Sequence, residues 1–517
     1  MRERSSKLAW PVSTVLVAVA VAAAWPLALS ADAIQFKDGR MFDVPKVVRA
    51  DGGWKIALEH GEIFVKAELV ERVLASDAGG NYVPKDDEEK AKLEKGLVPY
   101  EGKWIPKADR DKAVEKKLEK AKKEMEEAKK HLEWRDRYKT ETKHFKFEYT
   151  IPPAKCQEYQ ELMEVYYETF MKKWGIRPAA KTPKLLVCFY HDEEYYYQVS
   201  GAPRGAIGYF RFVDPIELNF YYDRNDERLT LDVMFHETNH YLTYLINPKF
   251  NYPPWVNESL AEYYGASEWD RVKKAMSVGH IQEGRLVVLQ DAIAGDEWQG
   301  LEEMIRLPEF DALHYAWGWS FVHFLMESKK YSQGFQRFYL ALSTDKDVKR
   351  VAFQGAMVQC ESDEVIKTLK KFLQIKDLKP LETEWHAYVK DTLKLETHRG
   401  YEEAAEWADR WGLTIKAGRY YKTAVEKGTK NPLTFDHYGD WFARKSQQDD
   451  AIGMYEKAIE LDPMNPYFYM HLGQAWEAKG GDDGKKKGED YKKLAIELDP
   501  HDPWLALQSR GVVIQGK

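Results

Sequence analysis

The chain has 517 residues, of which 44% are hydrophobic and 14% aromatic, enough to bury several cores, so pervasive disorder is excluded and several domains are expected. Its 77 Lys and Arg stand against 84 Asp and Glu, a formal charge of −7. That balance supplies no basic field to draw polyanions, and no nucleic acid partner is expected.

Residues 1–33 stand apart from the rest. Arg2, Arg4 and Lys7 precede an apolar run over 12–24, followed by Pro26 and small residues over 30–33. This is the pattern of a secretory signal peptide, predicting cleavage after Ser30, Ala31 or Ala33 and a periplasmic or extracellular protein. If the segment is retained, its apolar run is near the lower limit for crossing a bilayer and would serve as a membrane anchor. No other stretch is long and apolar enough to span. The three cysteines, Cys156, Cys188 and Cys360, lack the paired spacing of a metal knuckle or disulfide framework. A Cys156–Cys188 bridge is one expectation; three small buried side chains is the other.

Residues 34–76 alternate apolar and polar around Ile34 and Phe36, Trp54 and Ile56, and Ile63 and Val65, with turns at Asp38-Gly39, Gly52-Gly53 and His60-Gly61. Short strands joined by such turns predict a small barrel-like β module. Residues 77–140 form a charged linker, and within it 109–137 is dominated by Lys, Glu and Ala. That composition predicts a long solvated helix carrying i,i+4 ion pairs, with apolar positions too sparse for a coiled coil.

An α+β domain is expected over 141–395, with strands at 145–149 and 185–190 and a mostly helical second half. At its centre lies His236-Glu237-Thr238-Asn239-His240, flanked by Leu231, Met234, Phe235, Leu242 and Leu245 at helical spacing. Histidines four apart share one helix face one turn apart, so both rings can reach one metal ion. Glu237 projects toward the same cleft, where it can take a proton from a metal-bound water. Eighteen residues beyond His240, Glu258 and Glu262 share a face of a second helix that opens at Pro253-Pro254.

The two motifs in this order resemble the gluzincin, or thermolysin-type, zinc metallopeptidases. The resemblance implies Zn²⁺ held by His236, His240 and Glu258, with Glu237 as general base and Glu262 orienting a ligating histidine through its other ring nitrogen. Many members read Glu-Gly-Leu-Ala-Glu where this chain has Glu258-Ser259-Leu260-Ala261-Glu262, a departure that leaves the ligand set intact. Such sites also need a donor for the oxyanion of the tetrahedral intermediate. Tyr315, at the start of an expected helix over 315–325, is the leading candidate against the alternative of a core aromatic; His314 and His323 are weaker ones. The resemblance further implies an edge strand above the metal that pairs with an extended substrate. Residues 217–222 either form that edge or lie inside the sheet.

Over 400–517 the chain repeats itself. Asn431-Pro432 and Asn465-Pro466 close similar segments 34 residues apart, and Asp502-Pro503 closes a third 37 residues further on, the extra three placed in the Gly-rich stretch 480–484. With His437-Tyr438-Gly439 and His471-Leu472-Gly473 in matching positions, this resembles the tetratricopeptide repeat (TPR), which implies an all-α solenoid with a peptide-binding concave face. The expectation is therefore an exported α+β multidomain protein: a β module, a zincin-like catalytic domain acting on peptides or proteins, and a TPR array that binds a protein partner. Its rivals are a non-catalytic, metal-binding envelope scaffold and a membrane-tethered enzyme acting on cell-wall peptides.

Overall fold

The computed structural model describes residues 32–37, 40–74, 86–100, 103–110, 112, 113, 116, 127 and 130–500 apart from 179–181, 204–205, 224–226 and 396, together with Leu505. The expected signal peptide, apart from Asp32 and Ala33 in the first strand, and most of the expected helix over 109–137 lie outside these residues, as does the third repeat signature, Asp502-Pro503. Among the described residues no helix is long and apolar enough to cross a membrane. The chain divides into two units, 1–57 with 64–107, and 58–63 with 108–517.

The N-terminal part of the chain holds strands β1 (Asp32–Phe36), β2 (Met41–Val44), β3 (Val47–Ala50), β4 (Gly53–Ala57), β5 (Glu62–Lys66) and β6 (Val70–Leu74), all in the first unit except Glu62 and Ile63. Alternation does the sorting expected of it: Ile34, Phe36, Val44, Val47, Ile56, Ile63 and Val65 are buried. Among the described residues the strands divide between two three-stranded sheets, β2-β1-β6 and β3-β4-β5, rather than closing into one barrel. The stretch after them is more than a linker. Helix α1 (Asp87–Glu94), capped by the Asp86 carboxylate on the Glu89 amide at 2.8 Å, leads into the hairpin β7 (Leu97–Tyr100) and β8 (Lys103–Pro106).

In the second unit a five-stranded sheet has the order β12-β13-β11-β10-β9, built from β9 (Tyr138–Glu141), β10 (Phe145–Tyr149), β11 (Leu185–Tyr190), β12 (Gly208–Arg211) and β13 (Glu217–Tyr221). The inner pairs β10/β11 and β11/β13 are parallel, while the outer strands β9 and β12 run antiparallel to their neighbours. The sheet thus starts at Tyr138, three residues before position 141. Against the sheet lies α2 (Pro153–Trp174), which has Pro153 in its first turn, buries Tyr159, Met163, Tyr166, Phe170 and Trp174, and ends at Gly175 in the left-handed region (φ 63°). Helix α3 (Glu193–Ser200) sits between β11 and β12 in the chain, and α4 (Glu227–Tyr244) follows β13.

After the short strand β14 (Phe250–Asn251) comes α5 (Pro254–Gly265), then the ribbon β15 (Glu268–Asp270) and β16 (Ala275–Ser277), α6 (Glu283–Ala294), α7 (Leu301–Arg306) and α8 (Ala312–Glu327). The unit continues with α9 (Ser332–Thr344), β17 (Val351–Ala352), β18 (Val358–Gln359), α10 (Ser362–Leu373) and α11 (Leu378–Ala387). One large apolar core joins the sheet, α2, α4, α5, α6 and α8. Helices α5 and α8 cross closely: a Cβ on Gly318 would lie 2.2 Å from the Ser259 hydroxyl oxygen. The three cysteines are free and buried, so the Cys156–Cys188 bridge is not formed.

The C-terminal region consists of helix pairs, α12 (Arg399–Arg410) with α13 (Thr414–Glu426), α14 (Pro432–Arg444) with α15 (Gln448–Leu461), and α16 (Pro466–Lys479) with α17 (Gly481–Leu498). Pro432 and Pro466 begin helices, each behind an Asn cap: Asn431 accepts from the Leu433 amide and Asn465 from the Tyr467 amide, both at 3.1 Å. Helix α17 starts at Gly481 and spans 18 residues against 14 in α15, so the additional residues at 480–484 lengthen a helix.

Candidate metal centre

The back of α4 is fixed by polar and apolar contacts that leave one face free. Thr238 and Asn239 are buried, the Asn239 amide donating to the Tyr166 hydroxyl at 3.1 Å, and the Thr243 and Tyr339 hydroxyls are 2.7 Å apart. His236 and His240, each half-buried, are thereby turned to the other side, their ring centroids 4.9 Å apart. Helix α5 starts where the sequence places it, at Pro253-Pro254, and brings Glu258 opposite them. Glu258 Oε2 lies 3.5 Å from His236 Nε2 and 3.6 Å from His240 Nε2.

Those separations bear directly on the metal. Ligand atoms placed tetrahedrally at zinc's usual 2.0–2.1 Å stand about 3.3–3.4 Å from one another, close to the separations the carboxylate oxygen already keeps from each of the two nitrogens. One ligand atom from each of His236, His240 and Glu258 falls within 4.8 Å of the other two. Two imidazoles with one carboxylate is also the donor chemistry of a catalytic zinc site.

Behind the three donors is a buried acid. Glu262 Oε1 lies 3.3 Å from His236 Nδ1, the geometry that leaves Nε2 free to face Glu258. Glu262 in turn is gripped by Arg285 of α6, Nε to Oε2 at 2.8 Å and Nη2 to Oε1 at 3.1 Å, with both side chains almost fully buried. Burial pushes the Glu262 carboxyl up, but Arg285 and His236 outweigh it and hold it at about 2. Burial likewise raises Glu258, and His240 and His236 bring it down to about 2. Burial disfavours a charged His236, yet Glu258 and Glu262 together push its pKa well above the ordinary range. Carboxylates facing two imidazoles thus make a cradle whose net demand is for positive charge, as a divalent cation would supply.

Tyr315 belongs to this neighbourhood. It lies one turn inside α8, which begins at Ala312 rather than at Tyr315, and its hydroxyl donates to Glu258 Oε2 at 3.2 Å. Burial and the acids Glu258 and Glu262 raise the phenol well above its ordinary value, so it stays a donor. Asn257 Nδ2 donates to the other Glu258 oxygen at 3.2 Å. The two weaker candidates have other work: His314 pairs with Asp311 in the cap of α8, and His323 is held between the Tyr388 hydroxyl (2.9 Å) and the Gly279 carbonyl (3.1 Å).

Strand β13 is hydrogen-bonded on both sides, by β11 and β12, so residues 217–221 form an interior strand and not the edge. The edge is β12. A Cβ on Gly208, its first residue, would stand 2.6 Å from Val233 Cγ1 and 3.2 Å from Glu237 Cγ. Glycine there lets the edge strand lie close over the face of α4 that carries Glu237. Sequence reasoning misses both Gly208 and Arg285; the signal for Arg285 is a lone cation ahead of the apolar run Leu286-Val287-Val288-Leu289.

Comparison with known families gives two matches. A TPR repeat model matches residues 439–480. The C-terminal region carries a tetratricopeptide repeat. The close packing of the TPR helices agrees: a Cβ on Gly439 would stand 2.5 Å from the Tyr455 ring, and one on Gly473 2.8 Å from the Gly488 carbonyl oxygen. The second match, over residues 231–349, is to a family described as a protein of unknown function (DUF1570). That segment contains His236, Glu237, His240, Glu258, Glu262, Arg285 and Tyr315 together. A search of curated proteins returns no match.

Proposed function

We propose that this chain is an exported zinc-dependent peptidase of the gluzincin type, hydrolysing peptide bonds with Glu237 as general base. The observation that carries the reading is the convergence of His236 Nε2, His240 Nε2 and Glu258 Oε2, at 3.5 and 3.6 Å, from two separate helices. A zinc ion held by these residues would polarise the scissile carbonyl and acidify water. Glu237, half-buried on the same face of α4 and beneath the edge strand β12, takes the proton of the attacking water and passes it to the leaving amine. Glu262 fixes the His236 ring, and Tyr315 and Asn257 fix the Glu258 carboxylate. In this arrangement the Tyr315 hydroxyl is engaged by Glu258, so its first role is to steady that carboxylate; donation to an oxyanion requires it to exchange that bond. The TPR region supports a protein partner or protein substrate, the role such helix pairs serve through their concave face.

The test is cleavage of a quenched-fluorescent peptide library by the wild type and by Glu237→Gln, each with and without a zinc chelator. Turnover that Glu237→Gln and the chelator both abolish supports the reading. Zinc-loaded wild type that cleaves nothing, or equal cleavage by Glu237→Gln, refutes it.

A further inference from the structure

The residue that grips Glu262 is itself gripped by the C-terminal helix pairs. The Arg285 guanidinium carbon lies 4.5 Å from the ring centroid of Trp407, on α12, and 5.4 Å from that of Tyr315. Arg285 therefore reaches two of the three candidate ligands, His236 through Glu262 and Glu258 through Tyr315. Because a guanidinium fork binds both carboxylate oxygens, it sets the plane of the Glu262 carboxylate, which a single-point cation would leave free to turn.

The contact between α6 and α12 is interlocked. Each helix begins under a carboxylate from the other: Glu403 of α12 accepts from the Gly284 amide at 3.0 Å, and Glu283 of α6 accepts from the Gly400 amide at 3.2 Å and the Thr397 hydroxyl at 2.7 Å. Unpaired amides at helix starts need such acceptors, and negative charge is favoured there. The backbones approach so closely that a Cβ on Gly284 would lie 2.7 Å from Glu403 Cβ, and one on Gly400 2.8 Å from the Glu283 carbonyl oxygen. An independent recruiting module on a tether has no need of this fit.

We propose that Arg285 is a positioning residue for the metal centre and that α12, the first of the C-terminal helix pairs, through Trp407 and the Gly284–Gly400 crossing, holds it there. The start of the C-terminal helical region is on this view a structural part of the centre and not only a spacer to a docking platform. The inference rests on the metal reading above and goes beyond it, since neither family match covers Trp407.

The experiment measures zinc affinity by competition with a chromophoric chelator, and the visible spectrum of the cobalt-loaded protein, for wild type, Arg285→Lys, Arg285→Met, Trp407→Leu and Gly400→Ala, with circular dichroism to show that each is folded. Loss of an outer partner of a ligating histidine costs about 10–100-fold in metal affinity. Arg285→Met is expected to fall in that range and Arg285→Lys to weaken zinc binding too, since lysine lacks the fork. Trp407→Leu and Gly400→Ala, more than one partner away from the metal, are expected to weaken it about threefold or more and to shift the cobalt bands, which a merely structural role in the TPR region would not move. If Arg285→Met does not fold, Arg285→Lys and Trp407→Leu decide the matter. Zinc-binding wild type with unchanged affinity and spectra in Trp407→Leu and Gly400→Ala overturns the inference alone. Wild type that takes up no zinc overturns the metal reading, and this inference with it.

Discussion

The crossing of α5 and α8 offers a sharp test of how the third candidate ligand is held. Replacing Gly318 by Ala puts a methyl group 2.2 Å from the Ser259 hydroxyl oxygen and 2.6 Å from Cε2 of Phe310, distances that real Cβ contacts do not tolerate. Ser259 is fully buried and follows Glu258 directly, so relief requires α5 to move away from α8 and take the carboxylate with it. Overpacking of this kind costs about 1–3 kcal/mol, and two simultaneous clashes put Gly318→Ala at the upper end. For a domain of this size that lowers Tm by roughly 4–10 °C, measured by calorimetry on the metal-free protein. Ser259→Ala removes the first obstacle. Among the described residues the Ser259 hydroxyl has no hydrogen-bond partner, so its deletion alone is neutral or stabilising, by up to about 1 kcal/mol. The double variant should therefore recover about half of the loss, the remainder coming from Phe310. Additive effects, with no recovery, would refute the account of this crossing.

Three further outcomes are expected. Glu258 and Glu262, each held at about 2 in the folded protein against an ordinary 4.5, contribute stability that is present above pH 4.5 and lost as the pH falls toward 2. Urea midpoints of the metal-free protein should drop over that window and drop less in Glu262→Gln; an identical acid profile in the variant contradicts the assignment. In the TPR region burial lowers His471 and His437, but Asp436 and Asp440 raise His471 to about 10 and Glu406 raises His437 to about 9. Their contribution is complete below pH 6.5 and lost as the pH rises through 9 and 10, so alkaline melting of this region should be less steep in His471→Gln. Burial pushes the thiols of Cys156 and Cys188 up to about 12 and that of Cys360 to about 11, so a thiol reagent at pH 8 should label none of them until the protein unfolds. Rapid labelling of the native protein would show that the burial is wrong.

What the sequence reveals about this molecule follows the range of the interactions involved. Two histidines four apart, a Pro-Pro helix start and a pair of glutamates four apart are local signals, and the structure brings His236, His240, Glu258 and Glu262 together accordingly. The Asn-Pro repeat is local in the same sense, since asparagine caps and proline at the first helical position act within one turn. Arg285 is not legible this way: its carboxylate is 23 residues distant and Trp407 lies in another helix pair.

Of the two placements left open for 217–222, the interior one has a physical reason as well. Leu218, Asn219, Phe220 and Tyr221 are all buried, a run covered on both faces that marks an interior strand, whereas the edge at 208–211 is half-buried throughout. Gly481, Gly484 and Gly488 belong to a helix. Gly484 and Gly488 lie inside α17 because their Cβ atoms would stand 2.6 Å from the Trp476 carbonyl oxygen and 2.4 Å from Glu477 Cγ. They serve close helix packing, not a turn.

The most direct test of the central claim is the zinc stoichiometry of the purified protein, measured by elemental analysis after exhaustive dialysis, for wild type and for His236→Ala, His240→Ala and Glu258→Gln. The account predicts one tightly held zinc per chain in the wild type and its loss in each histidine variant, with weakened retention in Glu258→Gln. A wild type free of zinc, or histidine variants that keep it, would contradict the account.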